Sequence, residues 1–181
     1  MVRDALIAAL ARPDAPMAPP DAALRPAAVL LAVQDGRLWL TKRASGLRHH
    51  PGQIALPGGK LDPVDAGPTD CALREAREEI GLPPAAVEVL GLLPDLATVT
   101  GFAITPVLAE ITAPFTPIPQ PGEVDEVFTV PLAHVLDPSR FVRRQRRWAG
   151  QERVYWTVPW GPHYIWGATA DILYDLARRM A

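Results

Sequence analysis

Cysteine is almost missing from this sequence. Cys71 is the only one in 181 residues, which excludes an internal disulfide framework and a cysteine-rich zinc site. A dominant charge is missing as well. Eighteen basic against 20 acidic residues leave a net charge of −2, so nothing draws the chain generally to nucleic acid, and any anion site must come from a local cluster. No apolar run approaches the ~20 residues of a membrane span. The short apolar stretch at residues 5–10 follows Asp4 and is too brief for a secretory core. A cytoplasmic protein without membrane or nucleic-acid partners is the expectation. No internal repeat is visible. Proline, in contrast, is abundant: 21 of 181 residues is about twice the usual share and favours stiff loops over long helices. With 49% hydrophobic and 21% charged residues, the composition is that of a folded domain, and this length fits one domain or a domain plus an arm.

Hydrophobic spacing sketches the elements. A short amphipathic helix is expected over 3–12, followed by a stiff arm containing Pro13, Pro16, Pro19 and Pro20. The apolar run 27–33, the Asp35-Gly36 turn and the alternating segment 37–42 predict a β-hairpin. A short strand at 54–56 ends in Pro57-Gly58-Gly59. The clearest helix covers 69–80, with Thr69 as N-cap and Gly81 as the stop. Strands are expected at 87–93, 104–111, 124–130 and 153–158, with one helical turn at 132–136. Ile165, Ile172, Leu173, Leu176 and Met180 have the spacing of a C-terminal helix. Together these make an α/β or α+β domain with a mixed sheet flanked by helices.

The helix over 69–80 breaks a stability rule. On a wheel, Leu73, Ala76 and Ile80 form an apolar stripe within about 60°, while Glu75, Glu78 and Glu79 share an arc of about 100° on the opposite face. Glu75 lies one turn before both Glu78 and Glu79, so the three carboxylates repel, and two of them sit at the helix end that disfavours anions. A solvated acidic face is the plain explanation. Three acids converging just after a Pro-Gly-Gly loop suit a hard divalent cation, Mg²⁺ or Mn²⁺, which offsets the repulsion and holds an anionic substrate. Arg74 is placed to orient Glu78.

Residues 59–82 resemble the Nudix box, G-x5-E-x7-R-E-U-x-E-E-x-G-U with U apolar. The half from Arg74 to Leu82 fits at every specified position. In the first half Asp65 replaces Glu, and one extra residue separates it from Arg74, which leaves the role of Asp65 open. Upstream, residues 39–59 resemble the signature of the coenzyme A diphosphatase branch of that family, L-L-T-x-R-(S/A)-x3-R-x3-G-x3-F-P-G-G. Arg43, Ala44, Arg48, Gly52, Pro57, Gly58 and Gly59 fall in register, and Trp39 and Leu56 depart mildly. That branch commonly carries the longer box and the Asp. Residues 101–107 and 123–128 are also similar to it.

The resemblance implies a Nudix-type α/β/α sandwich over residues 25–181, with 1–24 as an appended helix and arm. It implies metal-dependent hydrolysis of coenzyme A, or an acyl derivative, to 3′,5′-adenosine bisphosphate and 4′-phosphopantetheine. Glu75, Glu78 and Glu79 become metal ligands with the Gly59 carbonyl, and Arg74 belongs to the catalytic set. The base is Glu75 or a downstream acid, Glu123 first and Glu126 second. Arg43 and Arg48 become phosphate-binding residues beside Gly58 and Gly59, with Arg48 assigned to the 3′-phosphate and Arg43 to the diphosphate. The cluster of Arg140, Arg143, Arg144, Arg146 and Arg147 is expected to be a solvated loop, held in reserve as a second place for the 3′-phosphate, while His49 and His50 are expected to be loop residues and Cys71 to fill space. A homodimer is compatible with the sequence. Two other readings stand beside this one: a Nudix hydrolase for another nucleoside diphosphate derivative, such as ADP-ribose or a dinucleoside polyphosphate, and a nucleotide-sensing module without catalysis. The intact set of glutamates disfavours the sensing module, and the Arg43/Arg48 segment disfavours the other substrates.

Overall fold

Strand β1 (Arg25–Gln34) is the organising element of the computed structural model, which describes residues 2–12, 23–148 and 150–181. Its side chains alternate between two cores. Ala28, Leu30 and Ala32 point into one, with Val107, Ala109 and Ile111 of β7 (Phe102–Ile111). Leu31 and Val33 point into the other, with Leu108. A strand covered on both faces must be apolar throughout, which is why 27–33 shows no polar alternation. β1 and β7 run parallel over nine pairs from Arg25↔Phe102 to Val33↔Glu110.

The expected hairpin exists but is short. Asp35 (φ 48°) and Gly36 (φ 70°) make the turn into β2 (Arg37–Arg43), with the left-handed pair typical of a tight hairpin. Only Val33↔Leu38 and Gln34↔Arg37 pair across it. Beyond that, β2 pairs with β3 (Ile54–Ala55) in place of β1, while β1 accepts β4 (Gly58–Lys60); β8 (Val124–Pro131) runs along the other edge of β2 for its whole length. The glycine loop thus enters where β1 and β2 part. Antiparallel β5 (Val87–Leu92) and β6 (Leu96–Ala97) extend the sheet along β7.

Helix α2 (Pro68–Ile80) covers one face of the sheet. The other is covered by α1 (Val2–Leu10), α3 (Leu132–Val135) and α4 (Ala168–Met180), whose Leu6, Val135, Leu173 and Leu176 are fully buried. The result is the expected sandwich of helices about a mixed sheet. α1 packs into this core, and Arg3 pairs with Glu88 and Glu110. The prolines at 13, 16, 19 and 20 lie outside the described residues. No described helix is long and apolar enough to cross a membrane.

Four expectations need correction. Thr69 is not the N-cap of α2: Gly67 takes that position and Pro68 opens the first turn, where its missing N–H costs nothing. The buried face of α2 runs through Cys71, Ala72, Ala76, Glu79 and Ile80, with Leu73 only half buried, so the carboxylate arc is not opposite the core. The late arginines do not form a loop. Arg143, Arg144, Arg146 and Arg147 lie in β9 (Val142–Trp148), paired with β10 (Gln151–Thr157) as a separate hairpin, and Arg140 ends a 3₁₀ turn before it. Ile165 is buried but precedes α4, which begins at Ala168.

Candidate active site

The end of α2 is built to hold its last carboxylates in place. Gly81 adopts φ 71° and donates its N–H to the Arg77 carbonyl, while Leu82 donates to that of Ala76. This closure satisfies two orphan carbonyls. Two more are taken by the loop between β7 and β8: Ile118 donates to the Ile80 carbonyl and Gln120 to that of Glu79, both at 2.9 Å.

Glu79 is 7% exposed, and its Oε2 accepts the Gly58 N–H at 3.2 Å. Burial is the main reason its carboxyl is pushed up to about 8, with Glu75 and Glu123 adding repulsion and Gly58 and Arg43 opposing. Glu75 lies against Gly59 so closely that a Cβ there would stand 2.2 Å from its Oε1. Only glycine allows that approach. Burial raises the Glu75 carboxyl as well, partly countered by Arg74. Glu78 is exposed.

Arg74 binds more than Glu78. Its Nη1 donates to Glu78 Oε2 at 3.0 Å and to Glu75 Oε1 at 3.1 Å. Its Nε and Nη2 form a fork on Asp65 at 2.9 and 3.0 Å, and Nη2 also reaches the Lys60 carbonyl at 3.3 Å. Asp65 further accepts the Asp62 N–H at 2.8 Å, its side chain is only 3% exposed, and the Arg74 guanidinium lowers its carboxyl to about 2. The sequence left Asp65 without a role; its place in the first half of the box was the available signal. Cys71 lies under this cluster, its thiol directed at the Gly59 and Lys60 carbonyls and pushed up to about 11 by burial. It is a protonated filler, not a nucleophile.

These donors are chemically suited to a hard divalent cation: two carboxylates kept from water and made reluctant to ionise by burial and mutual repulsion. As they stand, no three described acidic, histidine or cysteine side chains converge tightly enough to enclose an ion, and Arg74 holds Glu78 and one oxygen of Glu75.

The NUDIX domain family profile matches residues 23–155. The uncharacterized Nudix hydrolase NudL of Enterobacter sp. (strain 638) is 43% identical over 157 residues, which cover 84% of this chain and 81% of the relative. NudL of Salmonella paratyphi B is 45% identical over 158 residues, with the same coverage. A NUDIX hydrolase from Nitrosomonas europaea matches the fold with a TM-score of 0.51 at 19% identity, covering 59% of this chain and 57% of that chain. The chain belongs to the Nudix hydrolase family. It is a pyrophosphohydrolase, in a family that generally works with divalent metal ions.

The remaining predicted residues of this Nudix enzyme divide between those at the cluster and those away from it. Glu123 is pinned from two sides: its N–H meets the Gln120 carbonyl at 3.1 Å, and its carbonyl accepts the Ala44 N–H at 2.8 Å. It is exposed, yet near enough to repel both Glu75 and Glu79. Glu126 is engaged elsewhere, with Oε1 3.0 Å from His163 Nε2, and His163 stacks on Phe128 at 3.7 Å. Arg43 ends β2 at an irregularity in its pairing with β8 and acts electrostatically on Glu79. Its Nε is shielded from solvent and has no hydrogen-bond acceptor among the described residues. Arg48, His49 and His50 are exposed on the following loop. Gly58 spends its N–H on Glu79, so it holds a carboxylate and not a phosphate. A cleft of about 610 Å³ runs along the outer flank of α2 past Asp70, Arg77, Glu78 and Gln120; neither Glu75 nor Glu79 lines it, so it borders the site without containing it.

Proposed function

We propose that this Nudix enzyme is a metal-dependent coenzyme A diphosphatase, cleaving coenzyme A or its derivatives to 3′,5′-adenosine bisphosphate and 4′-phosphopantetheine. The observation that carries the reading is Arg43, a guanidinium beside Glu79 with a shielded, unpaired Nε, set at the mouth of the glycine loop. With Nε enclosed, the Nη groups of the guanidinium remain to meet diphosphate oxygens, and the fork geometry of arginine suits them. The upstream segment containing Arg43 and Arg48 carries the likeness to the coenzyme A branch.

Glu75, Glu78 and Glu79, with the Gly59 carbonyl, would hold Mg²⁺ or Mn²⁺. When bound, such a cation neutralises diphosphate oxygens and lowers the pKa of water. Asp65 and Arg74 keep the glutamates oriented. Glu123 takes a proton from the attacking water, since it faces the cluster while Glu126 is paired with His163. Arg43 binds the diphosphate, and Arg48 extends the cationic side of the entrance. Residues 25–181 form the catalytic domain. The test is a panel of coenzyme A, its acyl esters, ADP-ribose and NADH, each with Mg²⁺ and Mn²⁺, with products identified by mass. Coenzyme A or an acyl ester should be cleaved with the highest kcat/KM; preference for ADP-ribose or NADH would overturn the assignment.

A further inference from the structure

Directly opposed residues of an antiparallel pair share a face, so the register of β9 against β10 divides the hairpin in two. One face bears Trp156, opposite Arg143, and packs on α4, where Trp156 stacks on Tyr174 at 3.9 Å. The other bears Arg144 opposite Tyr155, and Arg146 opposite Arg153. Tyr155 hydrogen-bonds Tyr164 and meets the edge of Trp166 at 5.6 Å. Three guanidiniums therefore stand beside an aromatic wall. Arg144 and Arg146 are exposed; Arg153 is half buried, and its Nε is shielded from solvent without an acceptor among the described residues, the condition already seen at Arg43. Two like charges directly opposed weaken a hairpin, and a bound anion would offset that cost.

This face connects to the active site. Thr157 bridges to Trp166, the next residue Gly167 lies against the Gln53 side chain, and Thr169 Oγ1 donates to the Ile54 carbonyl at 3.2 Å. The Gln53 carbonyl in turn accepts the Arg43 N–H at 2.9 Å. Arg43 and the hairpin are thus tied to each other through a short chain of contacts across buried Ile54, Thr169 and Thr157.

We infer that the face formed by Arg144, Arg146 and Arg153 is a subsite for a phosphomonoester on the nucleotide half of the substrate. The inference rests on the coenzyme A reading, in which the 3′-phosphate supplies that group, and it moves recognition of this phosphate from Arg48 to the hairpin. A phosphomonoester carries nearly two charges and three acceptor oxygens, which arginine forks bind in a way a bare ribose hydroxyl cannot match.

The test compares kcat/KM for coenzyme A and dephospho-coenzyme A in the wild type, in Arg144→Gln and in the double variant Arg144→Gln/Arg153→Gln. Arg144 is exposed, so its single variant keeps the test valid even if the double variant folds poorly. The wild type should favour coenzyme A by about 10-fold or more; that ratio should fall in the single variant and approach one in the double. No wild-type preference, or a preference retained in both variants, overturns the subsite. If neither compound is cleaved, the coenzyme A reading fails on its own. The subsite is then judged by tryptophan-fluorescence titration: tighter binding of adenosine 3′,5′-bisphosphate than of AMP, lost in Arg144→Gln, supports it, and equal binding overturns it.

Discussion

Arg74 holds Asp65 with both arms of its guanidinium, at 2.9 and 3.0 Å, and extends its remaining nitrogen to Glu75 and Glu78. One side chain thereby fixes the loop ahead of α2 to two glutamates on it. Asp65→Asn should break the fork and lower kcat/KM by roughly 10- to 100-fold, the usual effect of losing a residue that orients ligands. Its carboxyl is lowered to about 2 in the fold, so its stabilisation is fully present above the ordinary carboxylate range and is lost as pH falls toward 2. Melting curves from pH 5 to pH 2 should therefore fall less steeply for Asp65→Asn than for the wild type.

Glu79 has the opposite sign. A carboxyl raised to about 8 binds its proton more tightly folded than unfolded, so metal-free stability should decline as pH rises from about 4 through 8. Melting temperatures in chelator over that range should show the decline, and Glu79→Gln should flatten it.

Glu123→Gln should lower kcat by roughly 10²- to 10⁴-fold with little change in KM, as expected for loss of a proton acceptor. Glu126→Gln should have a smaller effect, because that carboxylate is bound to His163. Side-by-side kinetics decide; the reverse order would transfer the role to Glu126.

Arg43→Ala should weaken cleavage of coenzyme A and dephospho-coenzyme A alike, by about 10-fold or more, since it loses one charged contact to the diphosphate they share. A loss confined to one of them, in paired kcat/KM measurements, would remove Arg43 from the diphosphate.

Much of this was readable in the residues because local rules and the motif agree. The Asp35-Gly36 turn, the Gly81 stop and the glutamates of α2 each announce themselves by spacing. The errors arose where long-range pairing decides. Nothing local tells β2 to leave β1 for β3, and nothing in the four closely spaced arginines at 143–147 says strand until β10 lies beside them. A wheel puts Glu79 on an outer arc because it cannot foresee that the Gly58 loop will bury it. Asp65 is obscure in the sequence because its partner is nine residues away across a loop, and Glu123 is legible there only as a candidate, since its position depends on the hydrogen bonds of Ile118, Gln120 and Ala44.

The central claim is that the glutamates of α2 carry a divalent cation for diphosphate hydrolysis. The most direct measurement is coenzyme A turnover against Mg²⁺ or Mn²⁺ concentration for the wild type, Glu78→Gln and Glu79→Gln, with melting curves confirming that each is folded. The account predicts no turnover in chelator, saturable activation of the wild type, and a loss of at least about 100-fold in both variants even at saturating metal. Near-normal rates in either folded variant would contradict it.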